Sequence, residues 1–119
     1  MVSRTLEATV RHQATTAIVD LHGEINGFAE PALNGAYAAA ESESPRVIVL
    51  NFKAVDYINS TGIALIVQLL ARARASHISL RAVGLSAHYV EIFQITRLSD
   101  FVEMFPDEAS ALQPGATPA

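Results

Sequence analysis

Residues 46–75, RVIVLNFKAVDYINSTGIALIVQLLARARA, hold the two elements on which the fold turns. RVIVLNF at 46–52 is almost continuously apolar, the pattern of a strand covered on both faces in a sheet with crossover helices. The stretch from about 62 to 75 places Ile63, Ile66, Val67 and Leu70 on one face of a helix. Arg72 and Arg74, with His77 just beyond, suit the negative end of that helix and need no ligand. Between the two, KAVDYIN at 53–59 reads as a short connection, and NSTG at 59–62 puts three small polar residues and a glycine at the helix start.

Upstream, LEATVR at 6–11 and TAIVDLHGEI at 16–25 read as a strand hairpin around RHQATT. In the second strand Ala17, Val19 and Leu21 point one way while Ile18, Asp20 and His22 point the other. GEINGF at 23–28 is a loop by its glycines and asparagine. EPALNGAYAAAE at 30–41 is a helix with Pro31 at its first position. Downstream, ISLRAVG at 78–84 alternates as a strand, and Ser86 opens a helix over 86–95 with Val90 and Phe93 at helical spacing. TRLSDFVEMF gives a turn and a short strand, and PDEASAL a last helix. Strand–helix–strand units imply right-handed parallel crossovers, so the expectation is one α/β domain over 1–112: a mixed, mostly parallel sheet of about five strands packed against about four helices. QPGATPA at 113–119 is expected to be a frayed tail.

The chain has 119 residues, half of them hydrophobic, which suits a single domain with its own core. Its formal charge of −4 lacks the basic balance of a nucleic-acid binder. No apolar run reaches spanning length, and the N-terminus does not read as a signal peptide, so a cytoplasmic protein without membrane insertion is expected. Without cysteine there are no disulfides, thiolate nucleophiles or cysteine-type zinc sites.

Catalytic motifs fail on inspection. His12, His22, His77 and His88 have no metal-ligand spacing, and no P-loop is present, so no metal or cofactor is expected. Ser60 followed by Gly62 matches half of a nucleophile elbow, but Ile58 stands where its first glycine belongs. The reading is therefore not an enzyme. Asn59, Ser60 or Thr61 would cap the following helix, contributing about 1 kcal/mol. The same loop lies at the carboxyl end of a buried strand, where ligands and partners meet open α/β sheets. GEINGF and GLSAH follow other strands, so the three loops could share a face. A phosphoryl group on Ser60 would sit at a helix N-terminus and add about −1.5 to −2 charges.

Over about residues 5–112 the chain resembles the STAS domains of sulfate transporters and anti-sigma factor antagonists. GEINGF-x-x-P-x-L at 23–33, VIVLNF at 47–52, YINSTGI at 57–63 and FQITRL at 93–98 carry the resemblance. It implies a bacterial anti-sigma factor antagonist: a transcription regulator that binds an anti-sigma factor serine kinase when unphosphorylated and is reset by a phosphatase. By position Ser60 is the implied phosphoacceptor, with Thr61 the secondary candidate. Asn26, Asn59, Ser60, Thr61 and Gly62 form the implied partner surface.

Three residues depart from the family pattern. Asn59 and Asn26 stand where aspartate is usual, and Arg97 where glycine is frequent. Asn59 keeps the capping ability while removing a carboxylate from the site. The alternative within the resemblance is a STAS subunit of a lipid-transport ATPase or signalling scaffold that needs no phosphorylation. A small-molecule-binding or catalytic α/β domain using the same face comes last, because no second catalytic group accompanies Ser60. Oligomeric state is not legible.

Overall fold

A computed structural model describes residues 5–113. Strands β1 (Glu7–Gln13) and β2 (Thr16–Ile25) form the expected hairpin, followed by a 3-10 turn at Gly27–Ala29 and helix α1 (Glu30–Glu41). β3 (Val47–Ile58), α2 (Ser60–Ala75), β4 (Ser79–Val83) and α3 (Ala87–Ile95) come next. A second 3-10 turn at Leu98–Asp100 leads to β5 (Glu103–Phe105) and the short α4 (Glu108–Leu112).

The sheet order is β1-β2-β3-β4-β5, antiparallel only between β1 and β2. This is the expected architecture of five strands and four helices. Crossovers of one hand between successive neighbouring strands place their helices on one side of the sheet. The main core bears this out. Leu33 and Tyr37 of α1, Leu65, Ile66 and Leu69 of α2, and Tyr89 and Phe93 of α3 pack with Val19, Leu21, Ile48, Leu50 and Phe52 of the sheet.

The other face carries a smaller cluster of Ile18, Val49, Val83 and Phe105, covered by Ala111 and Leu112 of α4. That is why 46–52 is apolar without alternation: Ile48 and Leu50 face the helices while Val49 faces α4. Arg11 helps hold α4 there. Its guanidinium donates to both carboxylate oxygens of Asp20 and to both of Glu108.

Several expectations shift. β3 does not stop at Phe52; it absorbs most of KAVDYIN and pairs with β2 as far as Ile58 against Ile25, through two register irregularities. The polar residues that suggested a connection, Lys53 and Asp56, sit on exposed positions of that extension. β2 likewise claims the first half of GEINGF. α2 begins at Ser60, and its buried face is Leu65, Ile66, Leu69, Leu70 and Ala73. Val67, expected inside, is 43% exposed. This helix is apolar nearly all round, so spacing alone did not fix its rotation. Pro31 is the second residue of α1, since the helix starts at Glu30. Residues 114–119 of the expected tail lie outside the described residues, while Gln113 ends α4.

Candidate functional site

β2 and β3 are parallel neighbours, so Ile25 and Ile58 end side by side. An asparagine follows each, and both asparagines do the same local job. Asn59 is extended (φ −92°, ψ −178°), and its Oδ1 accepts the N–H of Gly62 at 2.8 Å, capping α2. Asn26 is extended too, and its Oδ1 accepts the N–H of Phe28 at 2.9 Å, fixing the 3-10 turn before α1. Each side-chain oxygen satisfies a backbone donor that a helix start leaves without an internal partner. Of the three capping candidates, Asn59 is the cap.

That choice leaves Ser60 free for other chemistry. It is the first residue of α2 and exposed, and its hydroxyl makes no hydrogen bond among the described residues. Thr61 is exposed as well, and its Cγ2 would lie 3.6 Å from a Cβ on Gly27, so the two loops lie close together. Gly62 is buried against the end of β2. A Cβ there would overlap the carbonyl oxygen of Ile25, which also accepts the N–H of Asn59 at 3.2 Å. Asn26, Asn59, Ser60, Thr61 and Gly62 are thus brought to one edge by the ends of two adjacent strands.

The third loop is set back. β4 ends at Val83 opposite Asn51, and β3 runs on to Ile58, roughly 20 Å further at strand rise. Gly84, at φ 75°, turns there with its backbone against Lys53; a Cβ would stand 2.8 Å from the Lys53 nitrogen. α3 bridges the gap. Ser86 caps it, and the buried Tyr89 hydroxyl accepts the N–H of Ile58 at 2.9 Å while lying 3.4 Å from the Ile58 carbonyl oxygen. GLSAH therefore supports the edge through Tyr89 and does not line it beside Ser60.

Sequence reasoning missed three contributors. Tyr89 is one. The others are Phe28 and Tyr57, whose side chains are 91% and 51% exposed at this edge. An aromatic residue beside each asparagine loop was the available signal, but it reads equally well as core. Among the described residues, no three His, Asp or Glu side chains gather as a metal site. No helix there is long and apolar enough to cross a membrane.

Fold and edge together define an α/β module with one polar helix start presented beside exposed aromatics. The chain belongs to the STAS domain family, whose model matches residues 7–111. The anti-sigma-B factor antagonist of Listeria monocytogenes is 29% identical over 82 residues, 69% of this chain and 72% of the relative. That of Staphylococcus aureus is 28% identical over 86 residues, 72% of this chain and 80% of the relative. Among solved structures, an anti-sigma factor antagonist from Mycobacterium paratuberculosis superposes with a TM-score of 0.78 at 21% identity, covering 91% and 92% of the two chains. The anti-sigma factor antagonist SpoIIAA in its unphosphorylated form gives 0.68 at 16% identity, over 87% and 92%. These structural likenesses establish the shared fold.

Proposed function

We propose that this chain is an anti-sigma factor antagonist that binds an anti-sigma factor kinase while Ser60 is unphosphorylated and is released when Ser60 is modified. One observation carries the reading: Asn59 takes over the capping bond, leaving the Ser60 hydroxyl exposed and uncommitted at the start of a long helix. A serine needed as the cap could not be modified without disturbing α2; this one can. The N–H groups of Ser60 and Thr61, in the first turn, have no intrahelical acceptor and favour an anion beside them. A phosphate there leaves the core untouched and changes what a docked partner meets. A phosphatase would reverse the change, and the protein would act in the cytoplasm as a regulator without chemistry of its own.

Asn59 favours a second reading, in which the chain is a constitutive STAS binding subunit. An amide in place of a carboxylate keeps the cap but removes a charge on which a kinase could orient the hydroxyl. Phosphopeptide mapping of the protein from its native cells, across growth conditions, separates the two. Phosphate on Ser60 that varies with condition is the expected result. An unmodified 57–66 peptide under every condition overturns the switch in favour of the constitutive subunit.

A further inference from the structure

We infer that Phe28 is the anchor by which the partner protein grips the Ser60 edge, its ring entering an apolar socket on the partner. This rests on the partner-switch reading above and names the contact that dominates it. At 91% exposure Phe28 is the most exposed large apolar side chain among the described residues. A phenylalanine ring left in water forgoes a transfer equivalent to roughly 10- to 150-fold in an equilibrium constant. The ring is held from a fixed turn. Its own N–H is bound by Asn26, the next residue, Ala29, is 1% exposed in the core, and the preceding Gly27 lies close to Thr61. An aromatic side chain on a backbone already ordered loses little freedom on docking, the property of a dominant interface residue.

The neighbourhood ties this anchor to the switch. Gly27, adjacent to Phe28, lies close to Thr61, adjacent to Ser60: a Cβ on it would stand 3.6 Å from the Thr61 Cγ2. In this assignment a partner seated on the ring also covers the hydroxyl. A neutral serine tolerates a dry contact; a phosphate beside an apolar socket would lose its hydration without compensation. Release then follows from desolvation more than from long-range repulsion, and salt does little to restore binding. Of the other exposed apolar residues, Tyr57 shares this edge but is only 51% exposed, whereas Val67 lies about two turns along α2, Ile95 ends α3 and Phe101 follows the second 3-10 turn.

The test places the photo-crosslinking amino acid benzoylphenylalanine at position 28 of the full chain in its native cells, with position 95 as the control. Adducts are identified by mass spectrometry and Ser60 phosphorylation is mapped in parallel. The expected result is an adduct from 28 and not from 95, to a protein with a serine-kinase ATP site, falling about tenfold or more with Ser60→Asp. With that protein purified, Phe28→Ala should weaken Kd about 30-fold and Phe28→Leu much less, at low and high salt alike. No adduct at 28, equal adducts from both positions, or a change under about threefold in Kd on Phe28→Ala overturns the assignment. Where such a failure accompanies a phosphorylated Ser60, the switch survives and only the anchor is lost. An adduct and a Phe28-dependent Kd that ignore Ser60→Asp keep the anchor and sink the switch.

Discussion

Gly62 lies so close to Ile25 that a Cβ on it would stand 2.7 Å from the Ile25 carbonyl carbon and overlap the oxygen. The end of β2 and the first turn of α2 thus meet backbone to backbone. That contact sets the height of Ser60 above the sheet, and the Asn59 N–H bond to the same carbonyl reinforces it.

Gly62→Ala should force the helix start away from β2. Overpacking of a well-filled site costs about 1–3 kcal/mol, and the upper end is expected because the obstacle is backbone. Urea unfolding should show the loss, and exchange of the amides of residues 60–63 should accelerate beyond what that loss accounts for.

Asn59→Ala removes the cap and should cost about 1 kcal/mol. Asn59→Asp keeps an acceptor for the Gly62 N–H and adds a negative charge at the positive end of α2, so stability should be equal or about 0.5 kcal/mol higher. The urea midpoints of the two variants at neutral pH should therefore fall on opposite sides of the wild type, or the aspartate should match it.

Tyr89→Phe leaves the buried N–H of Ile58 without the oxygen that now accepts it at 2.9 Å. An orphaned buried donor costs about 1–3 kcal/mol. Thermal unfolding should shift down accordingly, with the Ile58 amide exchanging faster.

Asp20 is held below the ordinary carboxylate value of 3.8, chiefly by hydrogen bonds from Arg11 and then, against the opposing effect of burial, from Asn51. A lowered folded value means the stabilisation is complete above the unfolded value and is lost as pH falls through the folded one. The wild-type urea midpoint should therefore drop below about pH 4. Asp107 is likewise held below its ordinary value, by the N–H and hydroxyl of Ser110. Asp20→Asn separates the two: it should be less stable than wild type at neutral pH and lose less stability on acidification.

Arg97 adopts φ 66°, the left-handed region that favours glycine. Glycine, which the resemblance implies for this position, suits that conformation. Arg97→Gly relieves about 1–2 kcal/mol of backbone strain. Against this stand about 0.5–1 kcal/mol of glycine entropy and a small loss from the exposed Arg97–Asp100 pair. A net gain of about 0.5 kcal/mol is expected, read as a rise in melting temperature of roughly 2–4 °C.

The element order, the sheet-and-helix architecture and the cap at Ser86 were legible because they depend on neighbours in sequence. Apolar runs, alternation and a polar residue before a helix act over one or two turns of chain. The candidate site was legible for the same reason: NSTG sits between a buried strand and a helix. Its chemistry was readable only as far as residue type, with Asn59, Ser60 and Thr61 equally eligible to cap.

Tertiary structure decided what local pattern leaves degenerate. β3 runs to Ile58 because β2 offers it a partner, although KAVDYIN alone has the polarity of a connection. α2 turns Val67 outward and Leu65 and Leu69 inward because the sheet beneath selects one face of a helix that is apolar on nearly all sides. Phe28 could have been core by type, yet the Asn26 turn points it into solvent. Short-range hydrogen bonding and periodicity are written along the chain. Which apolar surface is buried depends on what packs against it, and that is settled only when distant segments meet.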